Sequence, residues 1–299
     1  MSTVVASGKR RDHHLRARVV KRFRPVAFLT GPVGVILLLF VAPLIILVVM
    51  SFRWESLYSF NTGWTLNNFK LIFTDPIYRN VARDTIIIAT TAMIIQLLVA
   101  FPLAYFIAFK AKRWELPLLL LLVLVDELNP IVRIYAWRML LGREGLINDF
   151  LKWTGIIDRP LDWLLFTKFS VILVLSTSWV NFCALPIYAS MKAIEPMLFE
   201  AATDLGAGWF TRWRRVLFPL AAPGIFVAVI LVYIPLFTDF ATPGLVGGPS
   251  SYMLGNSVAD LMVAIGDWGQ GAALSLLMLM AMALISVAAY FLTKLNQLD

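Results

Sequence analysis

Apolar runs too long for a soluble fold constrain this chain more than any other feature. From Val33 to Val49 no charged side chain occurs, and long apolar stretches recur at about 27–51, 85–109, 117–141, 169–190, 216–236 and 271–293. A helix rises 1.5 Å per residue, so roughly 20 residues cross a hydrocarbon core about 30 Å thick. In lipid every backbone N–H and C=O must bond within the protein, which leaves helices and closed barrels. The alternating pattern of barrel strands is absent. The runs therefore predict six membrane helices in an all-α membrane protein. Composition agrees, since 60% of the 299 residues are hydrophobic and only 15% are charged, well outside the usual range for a soluble domain.

Positive charge sets the orientation, because cytoplasmic loops collect Lys and Arg. The tail carries Lys9, Arg10, Arg11, Arg16, Arg18, Lys21, Arg22 and Arg24; the next loops on that side carry Lys110, Lys112 and Arg113, then Lys192, Arg212, Arg214 and Arg215. The last loop on the other side, about 237–270, has Asp239, Asp260 and Asp267 but no Lys or Arg. Both termini are thus expected in the cytoplasm, with a basic tail at 1–25 and one membrane domain at 26–299. The first run exceeds the apolar core of a signal peptide and lacks a small-residue cleavage site, so it is expected to stay as the first helix. The net charge of +8 follows membrane side and predicts no nucleic-acid surface. Cys183 is the one cysteine, so no disulfide forms within the chain.

Between the fourth and fifth runs lies a polar, basic loop, about 191–215. Pro196 suits a first helical turn and Glu195 and Glu200 favour a helix N-terminus. Ala201 and Ala202 are small enough to let another surface approach, and Gly206 supplies a left-handed break. Beyond it Trp209, Phe210 and Trp213 recur at helical spacing with Arg212, Arg214 and Arg215 opposite. Such an amphipathic helix lies on a membrane or enters a groove on a partner.

The spacing Glu200-Ala201-Ala202, Gly206, then Val216, Phe218 and Pro219 resembles the EAA loop of ABC importer permeases. Gly145 to Leu151, Gly155 to Asp158, Arg133 to Trp137, Asp239 to Pro243 and Gly247-Gly248 resemble the spermidine/putrescine subgroup, so that the likeness runs from about 30 to 295. The resemblance implies a type I importer permease with a coupling helix between helices 4 and 5. It assigns Glu200, Ala201, Ala202, Asp204, Gly206 and Pro219 to coupling with an ATPase. It further implies a homologous sister permease, a cytoplasmic ATPase dimer that uses ATP and Mg, and an external substrate-binding protein. This chain is then expected to bind no cofactor and no metal, and it contains no GxxxxGK[ST] phosphate loop.

The third run, PLLLLLVLVDELNPIVRIYAWRMLL, carries Asp126, Glu127, Asn129 and Arg133. A charged residue at the bilayer centre costs about 2.5–3.5 kcal/mol on insertion scales, so it faces a partner or a water-filled path. Pro130 is expected to kink this helix and free carbonyls beside the carboxylates. Three readings stay open: pairing with Arg133, contact with a cationic cargo, and contact with the sister subunit. Asn181, with Ser176, Thr177 and Ser178, lines the same route or bonds within and between helices. Asp239 guides a cation or contacts the binding protein, or else caps a helix. The subgroup tends to have a Pro-Phe-Trp-Thr-like run where this chain reads Val125-Asp126-Glu127-Leu128, which leaves opine-like, phosphonate-like and metal-ion cargo as alternatives to polyamines.

Enzyme chemistry finds no support. His13 and His14 are the only histidines and both lie in the tail, which leaves neither a metalloprotease site nor a Ser-His pair among the helices. A proton-coupled transporter using Asp126 and Glu127 is the rival of another class, and it gives no reason for the EAA-like loop.

Overall fold

The computed structural model describes residues 31, 33–56, 59–126 and 129–295. The predicted basic tail, the start of the first span and Glu127 lie outside them. Helix α1 (Val33–Ser51) has apolar side chains on every face, and none of its apolar length is buried within the chain. A two-stranded antiparallel hairpin follows, β1 (Arg53–Ser56) and β2 (Ser59–Trp64), which the apolar pattern did not predict. The short helix α2 (Asn67–Thr74) is tied beneath it, because Asn68 Nδ2 donates to the carbonyls of Ser51 at 3.0 Å and Arg53 at 2.8 Å.

Helix α3 (Pro76–Tyr105) starts nine residues before the predicted second span. The reason is local. Asp75 Oδ1 accepts from Ile77 N at 2.8 Å, and Pro76 occupies the first helical position, where its missing N–H costs nothing. Asp75 and Pro76 together cap the helix. After α3 come a π-helical turn over Phe106–Lys110 and then α4 (Glu115–Asp126), α5 (Pro130–Leu141) and α6 (Leu146–Trp153). The predicted third span is thus two helices. Asn129 caps the second of them through Oδ1, which accepts from Ile131 N at 2.9 Å, with Pro130 at its first position.

The fourth predicted span is likewise two helices, α7 (Lys168–Ser178) and α8 (Val180–Lys192), bent by 44° at Trp179. Back-bonding hydroxyls distort helices, and three occur in succession here: Ser176 Oγ to Leu173 O, Thr177 Oγ1 to Val174 O, and Ser178 Oγ to Val174 O. Gln96 of α3 then donates to the Leu175 carbonyl at 2.6 Å, one turn before the bend.

Past the loop helices α9 (Pro196–Asp204) and α10 (Trp209–Arg212), the helical run continues without a gap through a π turn (Trp213–Leu217) into α11 (Phe218–Thr238). Pro219 cannot donate to the carbonyl four residues back and its ring crowds that carbonyl. The widened turn just before it, where Phe218 N–H reaches Trp213 O, relieves the conflict. Two short helices, α12 (Ala241–Val246) and α13 (Leu254–Ala259), cross the end of the bundle before α14 (Trp268–Leu295). Among the described residues four helices are long and apolar enough to cross a membrane, and the bent α7–α8 pair makes a fifth.

The core lies where α3, α7, α8 and α11 meet, and small residues build it. Ala89, Ala92, Ala100, Ala104, Ala184, Ala221 and Ala228 are fully buried. Small side chains let membrane helices approach until their backbones pack. Gly224 joins them, for a Cβ there would stand 2.4 Å from Pro186 O. Large apolar side chains such as Leu38, Phe40, Leu98 and Leu284 point outward, as lipid-facing residues do.

Candidate coupling loop and translocation pathway

Two constellations stand at different places in the bundle. The first is the loop after α8. Helix α9 ends in a double hydrogen-bonded cap: Ala207 N–H reaches Ala202 O at 3.0 Å and Gly206 N–H reaches Thr203 O at 2.9 Å. This closure needs a left-handed residue, and Gly206 supplies it at φ 79°. Ala201, Asp204 and Gly206 are exposed and Ala202 is half-buried. Glu200 lies on α9 just before them. Arg212 reaches back across the turn to donate to Thr203 Oγ1 at 2.9 Å, so α9 and α10 form one cross-braced unit.

That unit is fastened to the membrane helices by rings. Phe199 of α9 meets Phe109 edge-on with centroids 5.4 Å apart, Phe109 meets Tyr105 at 5.3 Å, and Tyr105 meets Trp213 at 5.0 Å. Trp213 also touches Phe101 at 5.5 Å and Trp209 at 5.0 Å. Each such pair contributes about 0.5–1.5 kcal/mol beyond area burial. The chain of contacts joins α9 to the end of α3 and the start of α11. Pro219, at that start, is exposed. The pattern Trp209, Phe210 and Trp213 was legible as amphipathic, but its partners Phe101 and Tyr105 belong to a distant run of sequence.

A second tie escaped sequence reading. Glu115, the first residue of α4, accepts from Tyr188 Oη at 2.5 Å and from Lys192 Nζ at 2.8 Å. Tyr188 and Lys192 are one helical turn apart on α8. Lys192 first, then Tyr188, hold the Glu115 carboxyl below its ordinary value. Glu115 precedes the predicted third span, so this carboxylate lies outside the apolar run.

The second constellation surrounds the two interrupted spans. A cavity of about 230 Å³ is lined by Leu121 and Leu122 of α4, Arg133 of α5, and Thr177, Ser178, Val180 and Asn181 around the bend. Sequence reasoning placed Asn181 and the hydroxyl group on one route with the third run, and the fold brings Asn181, Thr177 and Ser178 together with Arg133. Ser176 points elsewhere and is buried. Asp126 is the last described residue of α4 and Asn129 caps α5, so both stand where the third span is interrupted.

Asp239 is placed differently. Its carboxylate accepts from Thr242 N at 2.9 Å and Thr242 Oγ1 at 2.8 Å, which is the geometry of a helix cap at the start of α12. Other residues of the quoted segments also have packing roles. Asn148 is fully buried, donates to Gly142 O at 2.9 Å and accepts from Leu161 N at 2.8 Å. Gly248 allows the Phe166 carbonyl to pass where a Cβ would stand 2.1 Å from it.

A family model for the binding-protein-dependent transport system inner membrane component matches residues 26–297. The chain belongs to this family. The permease is 33% identical over 233 residues to the spermidine/putrescine transport system permease protein PotB of Escherichia coli K12, covering 78% of this chain and 84% of that protein. It is 32% identical over 265 residues to PotB of Salmonella typhimurium SL1344, covering 88% and 91%. The crystal structure of a bacterial ABC transporter that imports the acidic polysaccharide alginate has a chain of the same fold, with a TM-score of 0.74 over 93% of the permease and 97% of that chain at 16% identity. The permease is accordingly the membrane subunit of an ABC importer, a multi-pass inner-membrane component. It is not an enzyme, since ATP hydrolysis in such importers belongs to a separate subunit.

Proposed function

We propose that this permease carries polyamines of the spermidine and putrescine class through a path beside the breaks in its third and fourth spans. The observation that carries the reading is the coincidence of two interrupted spans at one cavity to which Arg133, Thr177, Ser178 and Asn181 contribute polar groups: the third is broken by the non-helical cap Asn129 before α5, and in the fourth α7 bends into α8 beside Asn181. Interrupted helices persist at membrane depth where the freed backbone lines a cavity or is buried in protein. Carbonyls released there, with Asp126 and Glu127, replace water around an ammonium group. The cargo class follows the PotB relatives, whose likeness spans most of the chain.

In this reading the predicted spans make six crossings, the third as α4 with α5 and the fourth as α7 with α8. Both termini and the α9–α10 loop face the cytoplasm. Glu200, Ala201, Ala202, Asp204, Gly206 and Pro219 form the surface that a cytoplasmic ATPase dimer grips. ATP and Mg act on that dimer, and this chain binds neither. A homologous sister permease completes the path, and an external binding protein delivers the cargo. Closure of the ATPase pair moves the loop, and the helices alternate between inward- and outward-facing states.

Arg133 in the cavity wall favours a second cargo class, solutes that carry a carboxylate such as opine-like compounds, because a guanidinium repels ammonium groups and pairs with carboxylates. One experiment separates the two. The complex is reconstituted in proteoliposomes, and ATP-driven uptake of labelled spermidine and putrescine is measured with Asp126→Asn, Glu127→Gln and Arg133→Gln. Polyamine import predicts loss of uptake in the two carboxylate variants. Unchanged affinity and rate in both would overturn the cation path, and absence of polyamine uptake by the unaltered complex would turn the search to carboxylate-bearing solutes.

A further inference from the structure

The coupling loop is held to the bundle at two places, and they serve different helices. The ring contacts from Phe199 through Phe109 and Tyr105 to Trp213 lead to α3 and α11. The Glu115 carboxylate, held by Tyr188 and Lys192, leads to α4. Helix α4 leads toward the interruption of the third span before Asn129, and the rest of the described chain covers it little. Leu116, Leu120, Leu121, Val123 and Leu124 are all exposed, and its neighbours are α8 and the turn segments just before it. Its continuation α5 packs on other elements, α12, α6 and α7. The two halves of the third span are therefore attached to different parts of the molecule.

Lys192 is the last residue of α8, and four residues later Pro196 opens α9. A displacement of α9 consequently reaches Lys192 almost directly. From Glu115 to Asp126 the helix forms a rod about 16 Å long at 1.5 Å per residue. A rod gripped at one end by a hydrogen-bonded carboxylate moves with whatever holds that end.

We infer that Glu115 is a positioning residue for transport: its clasp by Tyr188 and Lys192 makes α4 travel with α8 and the α9 loop, and so delivers loop movement to the break beside Arg133 and Asn181. The inference rests on the reading of α9 as the ATPase contact. Partly exposed ion pairs contribute little to folding, about 0–1 kcal/mol, so variants here leave the protein assembled and the transport readout clean. A charged, oriented pair is suited to fixing the register of one helix on another.

The test uses the whole complex in lipid nanodiscs and proteoliposomes. Glu115→Gln and Lys192→Gln are expected to lower uptake per ATP hydrolysed about tenfold, within the ordinary range of coupling between sites, while the ATPase stays bound. The exchanged pair Glu115→Lys with Lys192→Glu is expected to restore most of it, which a general packing role would not produce. A cargo-independent readout accompanies this: spin labels at Leu120 and Ala189, in a Cys183→Ala background, should keep one distance between the nucleotide-free and ATP-bound states, and Glu115→Gln should broaden that distance. Unchanged uptake per ATP in both single variants, failure of the exchanged pair to rescue, or an unaltered distance distribution in Glu115→Gln would each overturn the inference. Gly206→Val serves as the control for the underlying reading. If it leaves the ATPase bound and uptake normal, the loop assignment fails, whereas its loss of ATPase with normal behaviour of Glu115→Gln refutes the clasp alone.

Discussion

The α3–α8–α11 body and the α4–α5 pair are built from equally apolar sequence, yet they are held in opposite ways. In the body, fully buried alanines and Gly224 bring backbones into contact. In the pair, Leu120, Leu124, Ile131 and Val132 are exposed, and a carboxylate at one end fixes the position. Close small-residue packing gives a unit that moves as a whole, because an interior packed to crystal density tolerates little internal rearrangement. A broken helix with few buried contacts can change angle at low cost. Apolarity therefore says that a segment crosses the membrane, and side-chain size says whether it does so as a fixed or an adjustable part.

The largest effect should come from spoiling the body. Gly224→Leu places atoms into Pro186 O and Ser190, and overpacking of this kind costs about 3 kcal/mol or more where backbone must shift. Loss of monodispersity and a clear fall of Tm in detergent would support the close-packed description, and a stable Gly224→Leu protein would contradict it. Next in size, Gly206→Val forces a β-branched residue into the left-handed region, at about 1–2 kcal/mol for that one residue. No heavy atom lies within 4 Å of a Cβ there, so the loss should appear in retention of the ATPase on purification rather than in stability of the bundle.

Trp213→Ala removes three ring contacts of about 0.5–1.5 kcal/mol each. It should lower Tm moderately and reduce the stimulation of ATP hydrolysis by a loaded binding protein. If stimulation is unchanged, the rings hold the loop without transmitting its motion. The smallest effect is expected from Asp84→Asn. Lys168 Nζ lies 2.6 Å from Asp84, joining α7 to α3, but both side chains are partly exposed, and such pairs are worth about 0–1 kcal/mol. A Tm shift of several degrees would mean that this end of the body is held more by charge than by packing.

Much of the coupling region was legible because its signals are local. Pro196 at a first helical position, Gly206 in a left-handed turn and the aromatic spacing after it depend on neighbours within a few residues. Asp75-Pro76 caps α3, and since the same residue types also make turns, only the helical turn that follows decides between the two. The bend at Trp179 was harder to foresee. Its hydroxyl run is visible in the sequence, but the Gln96 amide that takes the Leu175 carbonyl arrives from another helix. The Asp239–Thr242 contact was one of the roles open to Asp239 from the sequence, and only the placement of Thr242 shows it.

Sequence alone determined that the chain crosses a membrane in long helices, that the loop before Pro219 is a polar helical pair with a hinge at Gly206, and that its patterns fit an importer permease. These follow from hydropathy, backbone preference and short-range spacing, which act within a turn or two of the chain. The tertiary structure decided which spans are broken, which residues share the cavity with Arg133, and that Glu115 meets Tyr188 and Lys192 across more than seventy positions. Those are contacts between helices, fixed by how small residues let backbones approach, and no local pattern encodes them.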